Sequence, residues 1–190
     1  SRKIYNDGYA AVDPDYIEAR PNANATYLVR LLGDQARGVR HLDYGGGQGL
    51  LSDMLRDSGW NSQSYDPFVD PDVALESLGT FNFVTAYEVF EHVPDVAQLI
   101  ANLAMVLSDD GVLLFSTLLS DGNIKRNERL SWWYASPRNG HISLYTRASL
   151  GHLSRRAGYQ FGSYSPNLHV YWRTIPSWAN RFLREAATAV

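Results

Sequence analysis

The sequence predicts an α/β fold: a three-layer sandwich around a mostly parallel sheet that ends in a C-terminal antiparallel hairpin. Three observations carry this reading. Apolar runs of strand length alternate with segments of helical periodicity, a pitch that suits parallel strands with helices on both faces. The first of those runs leads straight into four glycines, Gly45, Gly46, Gly47 and Gly49, which open a helical segment. Two further strand-like runs near the C-terminus are joined by a turn of only Ser165, Pro166 and Asn167.

The elements follow in order. After a polar opening segment, residues 24–32 carry Tyr27, Leu28, Leu31 and Leu32 at helical spacing, and Gly33 stops that helix. Residues 39–44 (VRHLDY) read as a buried strand, and Leu50, Leu51, Met54 and Leu55 mark the helix after the glycine loop. A second strand, 62–66, meets Pro67, which cannot continue a central ladder. Residues 83–87 form a third apolar run. Asp95 is placed to cap a helix whose apolar face is Val96, Leu99, Ile100, Leu103, Val106 and Leu107. Asp109, Asp110 and Gly111 then turn the chain into a strand over 112–117. Residues 118–145 are irregular and hold Trp132, Trp133 and Tyr134. Thr146 caps a helix that ends at Gly158, the hairpin spans 159–164 and 168–173, and an amphipathic helix is expected over 177–187.

Composition bounds the function. A chain of 190 residues suits one domain, with 118–145 as a lid or acceptor-binding insertion. No apolar run approaches the roughly 18 residues needed to span a bilayer, and no export signal is legible, so the expected compartment is the cytoplasm. The absence of cysteine excludes disulfides, thiolate nucleophiles and Cys-ligated zinc. The net charge of −3 conceals an asymmetry. Residues 1–120 carry 7 basic and 17 acidic side chains, whereas 121–190 carry 10 basic and 3 acidic. The basic part is suited to an acidic small molecule, although an Arg-rich solvated surface is the simpler account. A pI near 5.9 and the lack of a long Lys-rich tract disfavour nucleic acid as a partner.

The loop Asp43-Tyr44-Gly45-Gly46-Gly47-Gln48-Gly49 is the most informative segment. Glycines permit positive φ and leave room for a ligand to approach the backbone. Dinucleotide sites need glycines at the first, third and sixth positions. Counted from Gly45 the sixth position is Leu50, and from Gly47 it is Ser52, so that pattern fails. Asp66 lies 23 residues after Asp43 at the end of the second strand, where a carboxylate can accept hydrogen bonds from both ribose hydroxyls.

The spacing Asp-x-Gly-x-Gly-x-Gly resembles the first motif of Rossmann-like S-adenosylmethionine-dependent methyltransferases. The run Glu88-Val89-Phe90-Glu91-His92-Val93-Pro94-Asp95 resembles the corresponding segment of ubiquinone-biosynthesis O-methyltransferases and their unassigned relatives. The likeness continues in residues 111–117, as their fifth strand, and in Gly140-His141. The resemblance implies that Asp43, Gly45, Gly47 and Gly49 bind the methionine end of S-adenosylmethionine and Asp66 its ribose. It also implies that Tyr87 and Glu88 line the pocket, and that Glu91 and His92 order the loop beneath the sulfonium. Phe68 is suited to cover the adenine edge. Only 16 residues separate Asp66 from Phe83, too few for a full helix, a strand and their turns, so the adenine wall is abbreviated. Glu88, Glu91 and His92 are metal-ligand types, but three ligands within five residues rarely converge on one ion, and no metal is expected.

Methyl transfer from a sulfonium is an in-line displacement, so the protein's task is to hold the acceptor close and aligned. A hydroxyl acceptor also needs a base, and His141 is the candidate because imidazole titrates near neutrality. Trp133, Tyr134 and Tyr145 are candidate acceptor contacts, with Trp132 beside them. Arg138, together with Lys125, Arg126 and Arg147, supplies a basic rim. The expectation is O-methylation of a sugar, glycolipid or phenolic small molecule. Methylation of an amine, or a non-catalytic protein that binds S-adenosylmethionine, are the alternatives. The oligomeric state is not legible.

Overall fold

A computed structural model describes residues 18–188, so nearly all of the polar opening segment lies outside the described residues. One six-stranded sheet has the order β2-β1-β3-β4-β6-β5. Its strands are β1 Arg40–Tyr44, β2 Asn61–Tyr65, β3 Phe81–Ala86, β4 Leu107–Ser116, β5 Gln160–Ser165 and β6 Leu168–Trp172. Strands β1 to β4 run parallel, while β6 pairs antiparallel with both β4 and β5. The α-helices among the described residues are α1 Ala19–Leu32, α2 Leu50–Asp57, α3 Val96–Val106, α4 Arg147–Arg156 and α5 Asn180–Thr188.

Strand alternation divides the core into two layers. Leu42, Val84, Leu113, Phe115 and Tyr171 pack with Leu99 and Leu103 of α3 and Leu150 of α4. Their neighbours along the strands, Phe83, Val112, Leu114 and Val170, pack with Leu28, Leu55 and Phe182 of α1, α2 and α5. Two of the helix starts are fixed by side chains named from sequence. Asp95 Oδ1 accepts from Gln98 N–H at 3.0 Å, and Thr146 forms a reciprocal capping box with Ser149.

Four details differ from the sequence expectation. Helix α1 begins at Ala19, upstream of the expected start at Asn24. Leu107 opens β4 instead of closing α3, and the register between β3 and β4 shifts so that Phe81 pairs with Leu107 but Phe83 with Val112. The Asp109-Asp110-Gly111 stretch is therefore an irregularity within a strand, the kind of local insertion that accommodates extra residues in a ladder. A single 3-10 turn, Ser177–Ala179, precedes α5. The short connection between β2 and β3 holds only one 3-10 turn, Leu75–Leu78, and β2 is the sheet's edge.

The chain places β2 on one side of β1 and then returns to place β3 on the other. The strand order thus reverses between β1 and β3, where connections leave in opposite directions and a crevice opens at the carboxyl ends. The glycine loop, Asp66 and Glu88 all follow those ends. No helix among the described residues is long and apolar enough to cross a membrane.

Candidate functional site at the carboxyl ends of the parallel strands

Two positions of the loop after β1, Gly45 and Gly46, have no room for a side chain. Gly45 has φ +77°, and a Cβ there would lie 2.5 Å from Val89 Cγ2. Gly47 and Gly49 also have positive φ. At Gly46 the constraint is space alone, since a Cβ would sit 2.4 Å from both Asp43 Oδ2 and Ser64 Oγ. Gly49 N-caps α2, the helix whose first-turn N–H groups face the loop.

Asp43 is 3% exposed at the end of β1. Thr85 Oγ1 donates to its Oδ1 at 2.8 Å. Because that hydroxyl proton is committed, His41 Nε2, 3.0 Å from Thr85 Oγ1, carries the hydrogen and donates to it. His41 Nδ1 then accepts from Ser62 Oγ at 2.8 Å. A directional chain therefore runs from Ser62 through His41 and Thr85 to Asp43. Burial holds the His41 pKa down at about 3, so the ring is neutral. Burial raises Asp43 to about 7; the Thr85 hydrogen bond opposes this, and the charge of Asp66 adds to it.

Asp66 is also buried, and its two oxygens are held by backbone donors. Oδ2 accepts from Gly47 N–H at 3.1 Å and Oδ1 from Phe68 N–H at 2.8 Å. A carboxylate has about four lone-pair sites, so two remain for ligand hydroxyls. Phe68 is 53% exposed beside it. Two buried hydroxyls in this neighbourhood, Ser64 Oγ and Tyr87 Oη, lack a hydrogen-bond partner among the described residues. The Tyr87 ring packs on the α1 and α5 side of the sheet.

A second cluster lies beyond β3. Glu88 has φ +53°, an uncommon conformation for a residue with a side chain and a mark of a built site. Ser116 Oγ at the end of β4 accepts from Glu88 N–H at 2.8 Å and donates to its Oε1 at 2.7 Å. Glu91 is fully buried; Tyr134 Oη donates to its Oε1, while Oε2 has no partner among the described residues. Burial, and then the neighbouring Glu88 charge, push Glu91 up to about 8. His92 Nδ1 lies 3.1 Å from the Gly140 carbonyl oxygen, and His141 Nδ1 lies 2.7 Å from that of Tyr134. Carbonyls only accept, so both Nδ1 atoms carry hydrogen and both lone pairs lie on Nε2. Desolvation lowers the pKa of each ring.

The two segments of this cluster are stitched together by backbone. Ile142 and Ser143 N–H both donate to Glu91 O, at 2.8 and 3.0 Å, and Ser143 Oγ donates to Val93 O. The structure thus joins Glu88, Tyr134 and His141 and adds Glu91 and His92. Tyr145 is buried in the core, with its hydroxyl donating to Phe90 O. Trp133 is 65% exposed with its ring edge-on to Tyr134, and Arg138 is exposed in a neighbouring turn. Lys125 is exposed and pairs with Glu128, and Arg126 is exposed nearby. A cleft lined by Gln35, Arg181 and Glu185 lies between α1 and α5 and shares no residue with either cluster.

Sequence reasoning missed the chain from Ser62 to Thr85 and the Tyr134–Glu91 bond. The only signals were an apolar strand holding a histidine at 41 and a threonine at 85. Neither residue announces its partner without the register that sets His41 beside Phe83 and Asp43 beside Thr85.

A doubly wound sheet with a glycine loop after β1, an acid at the end of β2 and a crevice between β1 and β3 defines a Rossmann-like methyltransferase fold. Residues 16–163 match the methyltransferase-domain family, and the chain belongs to it. The ubiquinone biosynthesis O-methyltransferase of Colwellia psychrerythraea is 32% identical over a match that covers 40% of this chain and 41% of that enzyme. The enzyme of the same name from Xanthomonas oryzae pv. oryzae is also 32% identical, with 43% of this chain and 44% of its own covered. The matched region is less than half the length of these relatives. Among solved structures, an O-methyltransferase family protein from Burkholderia thailandensis superposes with a TM-score of 0.59 at 16% identity, covering 92% of this chain and 63% of that one. The 1,6-didemethyltoxoflavin-N1-methyltransferase of the same organism, solved with S-adenosylhomocysteine, has a TM-score of 0.59 at 18% identity, covering 88% and 84%. These structures share the fold.

Proposed function

We propose that the chain is an S-adenosylmethionine-dependent methyltransferase that acts on a hydroxyl of a small molecule, of the sugar, glycolipid or phenolic class. The observation that carries this reading is the convergence of Asp43, the loop 45–49 and Asp66 at the strand-order reversal. Gly47 N–H already bonds Asp66 there, and a Cβ at Gly46 would fill the space. The residues fit the cofactor. Asp43 and the loop would hold its amino-acid end, Asp66 its ribose, and Phe68 its adenine face. The unpartnered Ser64 and Tyr87 hydroxyls are further donors or acceptors. The bound cofactor would supply an electrophilic methyl group on a sulfonium.

The chain's own residues do the rest. The Glu88, Glu91, His92, Tyr134 and His141 cluster sits past β3 on the acceptor side. The neutral imidazole of His141 presents an Nε2 lone pair to the acceptor hydroxyl. Trp133 offers an exposed aromatic wall, and Arg126 and Arg138 offer guanidinium forks to an acidic group.

Calorimetry with S-adenosylmethionine, its demethylated product and NAD tests the cofactor assignment, and label transfer to panels of hydroxyl and amine acceptors tests the reaction. Binding of both S-adenosyl ligands but not NAD, with label on a hydroxyl, is expected. NAD binding alone would overturn the reading. Label found only on amines would move the activity to N-methylation, and cofactor binding without any transfer would favour a non-catalytic role.

A further inference from the structure

We infer that Thr85 and His41 are positioning residues for the cofactor, which act through Asp43 by holding its carboxylate ionised and turned toward the cationic end of S-adenosylmethionine. The bonds that do this cross three strands. Register sets His41 of β1 beside Ser62 of β2, and Asp43, two residues further along β1, beside Thr85 of β3. Residues two apart on a strand share a face, so His41 and Asp43 lie on the same side of the sheet. Thr85 Oγ1 joins them, 3.0 Å from His41 Nε2 and 2.8 Å from Asp43 Oδ1.

Two observations set this arrangement apart from ordinary core packing. His41 is fully buried against the rings of Trp60 and Phe83, whose centroids lie 5.8 and 5.3 Å away. An apolar side chain would fill that place without desolvating two ring nitrogens, and replacing a buried hydrogen-bonded pair by apolar groups is often neutral for stability. The polar atoms lead instead to the acid that precedes the glycine loop. Thr85 also takes only one oxygen of that acid. Oδ2 is left on the loop side, 2.4 Å from the point where a Cβ on Gly46 would stand, so the bond to Oδ1 sets which way the carboxyl group faces.

The same bond acts on charge. Burial pushes the Asp43 pKa up, the Thr85 hydrogen bond opposes this, and the Asp66 carboxylate at the end of β2 adds to it, with the balance at about 7. Two other titratable groups face Asp43, and neither changes charge near neutrality: burial holds His41 at about 3 and raises Tyr87 further above its ordinary range. A hydrogen bond donated to the ionised carboxylate favours that form. His41 supports it by giving its Nε2–H to Thr85 Oγ1, which commits the threonine proton to Asp43.

This role rests on the reading that Asp43 meets the amino-acid end of the cofactor, and a pH profile tests both. The full chain is titrated by calorimetry with S-adenosylhomocysteine, which keeps that end, from about pH 5 to about pH 8.5. Affinity should rise with pH and level off near the Asp43 pKa of about 7. Titration of the ligand's own amine is common to every variant and cancels in the comparison. Asp43→Asn should abolish the rise. Thr85→Val should move the levelling point up by about one to two pH units, the scale of one hydrogen bond to a charged group, and weaken binding about tenfold or more at about pH 6. Thr85→Ser keeps the hydroxyl and should restore the parent profile, and His41→Leu should move the levelling point up by less than Thr85→Val does. A merely structural defect would lower affinity by one factor at every pH. A levelling point unmoved in Thr85→Val, or moved equally in Thr85→Ser, overturns the positioning role and leaves Asp43 in the site. Movement in Thr85→Val without any in His41→Leu removes His41 from the role. Should Thr85→Val fail to fold, His41→Leu decides, and an unmoved levelling point there overturns the inference. If the parent shows no rise and Asp43→Asn binds equally well, the cofactor reading of Asp43 fails, and the role of Thr85 and His41 fails with it.

Discussion

Thr85 donates its hydroxyl to Asp43 Oδ1 at 2.8 Å and at the same time accepts the Nε2–H of His41, so one side chain sets the polarity of a chain of buried groups that ends just before the glycine loop. Thr85→Val keeps the shape but removes both bonds, leaving His41 N–H and an Asp43 oxygen unsatisfied. A loss of about 1–3 kcal/mol is expected, the range for an orphaned buried polar group. Equilibrium denaturation in urea reads it directly, and an unchanged midpoint would show that the chain carries no stability.

Asp43 also predicts a pH dependence. Its folded pKa, near 7, is above its ordinary value of 3.8, so the folded chain binds a proton that the unfolded chain has released between those values. Stability from this group therefore falls as pH rises from about 4 to about 7, at up to roughly 1.4 kcal/mol per pH unit, and is level beyond. Asp43→Asn lacks this fall. Denaturation of both proteins from pH 4 to 8 should show the variant gaining on the parent across that window, with other titrating groups cancelling in the difference. A cationic cofactor end favours the ionised carboxylate, so cofactor affinity should rise through the same window in the parent alone.

Gly46→Ala tests the loop by volume. The added methyl meets Asp43 Oδ2 and Ser64 Oγ at 2.4 Å, and the Asp43 carboxyl is held through its other oxygen by Thr85, so the loop must move. Overpacking of this kind costs about 1–3 kcal/mol. The loss should appear chiefly as weaker S-adenosylmethionine binding in calorimetry. Parent-like affinity would show that the loop moves without consequence for the ligand.

Asp66→Ala should weaken cofactor binding by roughly 1.5–3 kcal/mol, the scale of hydrogen bonds to a charged group. The variant also frees Gly47 and Phe68 N–H, which water can reach at this strand end. Equal affinity in a folded variant would remove Asp66 from the ribose position.

The sequence made the layers and the glycine loop legible because they rest on local patterns: alternation in strands, 3.6-residue periodicity in helices, and side-chain caps at Asp95 and Thr146. What it concealed depends on register and on long-range contact. The β3–β4 shift hid the start of β4, since Leu107 continues the apolar face of α3 up to the residue where pairing begins. His41 reads as a polar interruption of a strand until Thr85 is set beside Asp43. His141 was legible as a candidate base from its place near Gly140, but its meeting with Glu91 and His92 arises from hydrogen bonds across a loop with no sequence signature. Burial of Tyr145 was hidden for the converse reason, since it is an aromatic in an irregular stretch that packs into the core.

His141 and Tyr134 separate the acceptor chemistry from its support. Under the proposed function His141 Nε2 is the base, whereas the Tyr134 hydroxyl is engaged between Leu118 N–H and Glu91. If acceptor activation runs through His141, His141→Gln should lower turnover on the order of 10²- to 10⁴-fold and leave S-adenosylmethionine affinity nearly unchanged. Tyr134→Phe removes both of these bonds, at about 1–3 kcal/mol for buried groups left unsatisfied, and should act less severely on turnover and more on the acceptor KM, because it loosens the segment that carries His141. Steady-state kinetics on the acceptor found by label transfer, beside cofactor calorimetry on each variant, distinguishes the two. A Tyr134→Phe defect equal to that of His141→Gln would assign the tyrosine hydroxyl to the reacting atoms. Full activity in His141→Gln would move acceptor activation away from this histidine altogether.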